Sequence, residues 1–233
     1  MTPILDSYPA PVKQLLQLGD LRGTIDWLDY AALGLGLEHV PDLIRMAQDE
    51  ALHNALGVSL EVWGPMHAWR ALGQLRVEAA IGPLLGLLRR IDEDDDDWVN
   101  EDLPMVFGLI GPAALLPLEQ YAASALHGLY ARVAAGTGLS EIGKQHPLAR
   151  ETAIAALMRV LENYAQPQRD LTFNGFLVAD LLDLDAAQAA PLIKRAFAAD
   201  AVDKGIAGDW NQVRIKLGVK DPASPQRTHH RKK

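Results

Sequence analysis

One phrase occurs four times along this chain and leaves few folds open to it. It reads AALGLGLEHVPDLIRMA at Ala31–Ala47, LGQLRVEAAIGPLLGLL at Leu72–Leu88, FGLIGPAALLPLEQYAA at Phe107–Ala123 and LLDLDAAQAAPLIKRAF at Leu181–Phe197. Each copy runs from a turn holding Gly or Asp, through small and apolar residues, to a leucine behind one fixed slot. Asp42, Pro83, Pro117 and Pro191 fill the slot, and Leu43, Leu84, Leu118 and Leu192 follow it. The slots lie 41, 34 and 74 residues apart, the last interval being two periods of 37. A unit of this size cannot bury its own apolar face, so neighbours stack to share a core. The period therefore predicts an all-α chain, a right-handed α-solenoid of about five to six helical pairs. The repeat domain is expected over residues 1–219, with a basic, disordered tail over 220–233.

Composition fits that reading and removes several others. Hydrophobic residues make up 49% of the chain and aromatics 6%, with Ala and Leu dominant, which suits closely packed helices. The absence of cysteine excludes disulfides and thiolate-held zinc or iron–sulfur centres. Met1-Thr2-Pro3-Ile4-Leu5-Asp6 lacks the basic segment and apolar run of a signal peptide. No uninterrupted apolar run reaches the roughly 18 residues of a membrane span. A cytoplasmic location without membrane contact is the expectation. The net charge of −8 is uneven: residues up to Val219 hold 17 basic and 29 acidic residues, while 220–233 carry a balance of +4. A body this acidic repels a phosphate backbone and argues against nucleic acid as partner.

Local signals agree with helices throughout. Thr152–Tyr164 places Ile154, Leu157, Leu161 and Tyr164 on one face, with His146-Pro147 marking its start. Leu171–Leu184 repeats the pattern. Ser59 is expected to cap a helix through Val62, Met66, Trp69 and Leu75. Gly208-Asp209-Trp210 opens a short helix that stops at Gly218, and this helix and residues 1–20 are the expected end caps. Pro83, Pro117 and Pro191 fall within or just beyond a first helical turn, where a missing N–H costs little. Asp92–Asn100, Ala134–Gly138 and the tail read as irregular.

The repeated Gly–small–Ala–apolar–x–Pro–Leu phrase resembles the HEAT repeat in its short bacterial, phycobilisome-lyase-like form. More narrowly, DYAALGLGLEHVPDLIRMAQDE, EVWGPMHAWRALGQLRVEAA and GDWNQVRIKLGV resemble a bacterial family of HEAT-like proteins of unknown function. The resemblance covers roughly residues 20–219. Members often end in a cysteine-rich SEC-C zinc motif, which this cysteine-free chain lacks. The resemblance implies a fold and is nearly silent on activity.

No residue volunteers for catalysis. G-x-S-x-G, a Walker loop and G-x-G-x-x-G are absent, and Gly34-Leu35-Gly36 suits a helix-end turn. Ser140 and Glu141 after Gly136-Thr137-Gly138 suit a helix cap. The run Asp92-Glu93-Asp94-Asp95-Asp96-Asp97 fails as an EF-hand, because Asp97 stands where Gly must turn and Leu103 where a bidentate Glu must bind. It reads as a solvated loop kept open by repulsion. No metal or cofactor is expected.

Two surfaces are candidates for binding. Trp63, His67, Trp69 and Arg70 form the densest aromatic and basic cluster, either a seam between repeats or a pocket for a base or peptide. Aligning the copies on their slot puts Arg45, Arg89, Arg90, Gln120 and Lys194 on the outward side of successive second helices. That inner ladder would receive an acidic segment of a partner protein, or form an ordinary solvated face. The expected function is a non-catalytic protein–protein scaffold using the concave face. The alternative is a nucleic-acid-binding HEAT-like repeat enzyme of the alkylpurine DNA glycosylase type. A pigment-handling role like that of phycobilin lyases rests on fold analogy alone.

Overall fold

The computed structural model describes residues 7–21, 27–166 and 170–219; the tail expected at 220–233 lies outside the described residues. Among the described residues every regular element is helical. In chain order the first α-helices are α1 (Val40–Ala47), α2 (Glu50–His53), α3 (Gly64–Gln74), α4 (Ile81–Leu87), α5 (Arg90–Glu93) and α6 (Asp97–Ile110). They continue with α7 (Leu115–Ala123), α8 (Leu129–Gln145), α9 (Arg150–Leu161) and α10 (Leu171–Asp183). The last are α11 (Ala190–Ala198), α12 (Lys204–Ala207) and α13 (Trp210–Lys216).

The longer helices pack in chain order: α3 on α6, α6 on α8, and α8 on α10. The intervening ones follow the same order, α4 against α7 and α7 against α9, with α7 and α9 also lying on α8. Five helices (α1, α4, α7, α9 and α11) begin alike, each behind one turn of 3-10 helix at Leu37–His39, Glu78–Ala80, Pro112–Ala114, Pro147–Ala149 and Ala187–Ala189. None of the five has a side-chain cap, so the tighter i→i+3 bonds of that turn satisfy amides the helix start leaves open. Leu43, Leu84, Leu118 and Leu192 behind the slot are all buried. Pro83, Pro117 and Pro191 sit in the first turns of α4, α7 and α11, where no intrahelical donor is lost.

The turn at Pro147–Ala149 exposes a fifth copy that the repeated phrase hides. Thr152 and Ala153 hold its slot, 35 residues after Pro117 and 39 before Pro191, which divides the 74-residue interval. One apolar cluster runs from Tyr8 to Leu217. The 3-10 helix Val12–Gln17 buries Val12, Leu15 and Leu16 and packs on α3. At the other end α13 buries Val213, opens with an Asp209–Gln212 capping box and stops before Gly218 at φ 69°.

Three local expectations need correction. Ala134–Gly138 is no break: it lies inside the 17-residue α8, and Ser140 is buried mid-helix instead of capping one. Its glycines serve close packing. A Cβ on Gly138 would stand 3.2 Å from Leu118 Cδ1 of α7, and one on Gly143 would stand 2.9 Å from Leu184 Cδ2. Ser59 does not cap α3, which starts behind a 3-10 turn at Glu61–Trp63, and the Ser59 hydroxyl is buried without a partner among the described residues. Within Asp92–Asn100 only residues 94–96 are outside helices, because Asp96 caps α6 through the N–H of Val99 at 3.2 Å.

Candidate functional site

Trp63, His67, Trp69 and Arg70 stand on α3 and its leading turn, and all four are buried. His67 Nε2 meets the carbonyl oxygen of Gly19 at 2.8 Å, so that nitrogen donates. Its Nδ1, 2.7 Å from the Tyr30 hydroxyl, is then the acceptor of a neutral ring. Burial pushes the His67 pKa down to about 4. Trp69 Nε1 donates to Asp102 Oδ2 at 3.0 Å, and Arg70 grips both oxygens of the same carboxylate at 2.6 and 2.9 Å. Trp63 stacks on Trp98 with centroids 4.2 Å apart. The cluster is closed: it joins α3 to α6 and offers no open face to a base or peptide.

The ladder is not a row of free cations. Arg45 donates to Asp42 at 2.9 Å and to the carbonyl of Ser7 at 2.8 Å, and lies 3.9 Å over the Tyr8 ring. Arg89 donates to Glu93 at 2.5 Å and Glu50 at 3.3 Å. Arg90 is 5% exposed and sits among Glu50, Asp94 and Asp96 at 2.9, 3.3 and 3.3 Å. Only Gln120 and Lys194 are exposed without a described partner. The physical reason is the acidic excess of the body, which supplies each arginine with an intrachain carboxylate.

Those carboxylates come largely from the acidic run, so the picture of a loop held open by repulsion is also corrected. Asp92 accepts the backbone N–H groups of Tyr130 at 2.9 Å and Ala131 at 2.8 Å, capping α8, whose own Gly128 has no side chain to do so. Glu93 holds Arg89, and Asp94 and Asp96 hold Arg90. Among the described residues no group of three or more His, Asp or Glu side chains is arranged to hold a metal ion.

A groove that the sequence reading missed lies where the end of α9 and the start of α10 face the first turn of α8. Its deeper part is a cavity of about 260 Å³ lined by Arg132, Asn163, Gln166, Asp170, Phe173 and Asn174. A more open hollow of about 410 Å³ adjoins it, sharing Arg132 and Asp170 and adding Leu126 and Leu129. Arg132 Nε donates to the carbonyl of Ala122 at 2.9 Å, and its guanidinium lies 4.0 Å over the Phe173 ring. Burial lowers its pKa, against the pull of Asp170. Asn174 Nδ2 is tied to the carbonyl of Ala201 at 2.8 Å. One signal could have found the groove: Arg132 is the fourth residue of α8, in a first turn where the helix dipole disfavours a cation.

No described helix alone is long and apolar enough to cross a membrane. Compared with protein-family models, curated proteins and solved structures, the chain matches none of them.

Proposed function

We propose that this protein is a non-catalytic scaffold, a solenoid of HEAT-like helix pairs that holds a segment of another protein along its side. The supporting observation is the range of its tertiary polar contacts, which recur at about one repeat length. Arg70–Asp102 spans 32 residues, Asp92–Tyr130 38, His146–Gly108 38, Lys144–Asp183 39, Arg159–Glu119 40 and His67–Gly19 48. Contacts of this range support a linear stack in which each repeat is bonded to its neighbour. Such a stack offers a long surface and grooves between units, which suits an extended partner better than a compact substrate.

The glycosylase reading draws no support from the aromatic residues it needs, since Trp63 and Trp69 are buried in the core and engaged there.

Photo-crosslinking tests the scaffold. A benzoylphenylalanine is placed at Gln120 on α7, at Leu126 before α8, or at Leu148 after it, all exposed positions. Leu126 and Leu148 flank a helix of 17 residues and so stand about 25 Å apart. In the native cell, the scaffold predicts one protein captured from one side and not from the others. No capture anywhere, or the same mixture from all three positions, contradicts it.

A further inference from the structure

Arg132 is a cation held in place with one edge left open. Its Nε is bonded to Ala122 and its face covers Phe173, while its two terminal nitrogens make no hydrogen bond to any described residue. Asp170, the acid that acts on it electrostatically, accepts the N–H of Phe173 at 3.1 Å as the cap of α10 and forms no ion pair with it. A half-buried guanidinium keeps an incompletely compensated charge, and its open edge presents parallel N–H donors with the geometry of a carboxylate.

The surroundings narrow the ligand further. The amides of Asn163 and Gln166 stand at the exposed rim of the cavity, suited to hydrogen-bond a peptide backbone. Leu126, 95% exposed, and Leu129 wall the adjoining hollow with apolar surface. Asp170 belongs to both spaces. A polyanion would meet that carboxylate with several charges, whereas one singly charged group is matched by one guanidinium.

We propose that this groove binds a single carboxylate on a peptide segment of a partner, with an apolar side chain of that segment in the Leu126–Leu129 hollow. The inference rests on the scaffold reading, since it supplies the chemistry of the segment that the scaffold would hold.

The test is a nuclear magnetic resonance titration of the full chain with four probes. N-acetyl-leucyl-glutamate amide carries a side-chain carboxylate, N-acetyl-leucine a terminal one, N-acetyl-leucyl-glutamine amide neither, and a thymidine octamer carries phosphates. The proposal predicts shifts at Arg132, Phe173 and Asn174 from at least one carboxylate probe, with affinity on the order of 1 mM for so small a ligand. Whichever of the two binds identifies the source of the carboxylate. The glutamine probe should be weaker by roughly tenfold. Gln166→Glu, at an exposed rim position, should weaken the carboxylate probe by roughly tenfold with Tm unchanged, by offering Arg132 a carboxylate of its own. Arg132→Gln should abolish binding. A glutamine probe that binds as well as the better carboxylate probe, no response to either carboxylate, a stronger response to the octamer, or full binding by Gln166→Glu overturns the proposal. None of these results touches the crosslinking outcome at Gln120 or Leu148, so the scaffold reading can survive the loss of the groove.

Discussion

Asp102 is a single acid that satisfies two buried residues of the preceding repeat, the Trp69 indole and the Arg70 guanidinium. With Arg70 5% exposed along its side chain, Asp102→Ala strands a charge in the core. The expected loss is about 3–5 kcal/mol, read from urea unfolding. Asp180 makes the opposite case. Burial, with the charge of Asp183 adding to it, pushes its pKa from 3.8 up to about 8, and its Oδ2 has no hydrogen-bond partner among the described residues. Below the unfolded value the carboxyl is neutral in both states and costs nothing. As pH rises from about 4 to 8 the unfolded chain releases a proton that the folded chain keeps, so stability falls across that window. Asp180→Asn should match the parent near pH 4 and exceed its Tm by roughly 10–20 °C at pH 8. A Tm difference that does not change with pH would contradict this account. Neither role was legible in the sequence. The acidic run shows why: its spacing reveals like charges side by side, but not that Arg90 folds among them or that α8 arrives needing a cap. A charge pattern shows local repulsion; it does not show that Arg89 and Arg90, four to six residues away, fold back onto the run, or that the amides Asp92 caps arrive from about one repeat away.

At the scale of the element, most helices were readable because their apolar spacing and their stops are local. The Asp209–Gln212 box and Gly218 bound α13 where the sequence suggests. Glycine was the ambiguous sign, since the same residue marks a break and a close approach. In α8 it marks approach. A Cβ on Gly143 would stand 2.9 and 3.1 Å from the buried Leu184 methyls and 3.2 Å from Ala153 Cβ. Gly143→Val should therefore cost about 1–3 kcal/mol. In α4 the glycine is idle: nothing stands within 4 Å of a Cβ on Gly86. Gly86→Ala should stabilise by about 0.5–1 kcal/mol through helix propensity. Paired urea unfolding curves check both signs, and a stabilising Gly143→Val would refute the packing argument.

For the whole molecule, the repeated phrase made the all-helical class legible and hid one unit, because Ala153 stands where the others carry the leucine behind the slot. The groove at Arg132 was illegible for a related reason, being assembled from the ends of three helices that no motif connects. The proposed linear stack is open to direct measurement, since the chain has no cysteine and accepts spin labels at chosen sites without background. Ala79, Leu148 and Gln188 are each the exposed second residue of the 3-10 turn before α4, α9 and α11. Glu38 holds the same place before α1. With packed helices 8–10 Å apart, double electron–electron resonance should give about 20 Å for Ala79–Leu148, about 30 Å for Ala79–Gln188 and about 40 Å for Glu38–Gln188. A steady increase with the number of intervening repeats is the result the account predicts. A Glu38–Gln188 distance no longer than Ala79–Leu148 would mean a chain folded back on itself, and would contradict it.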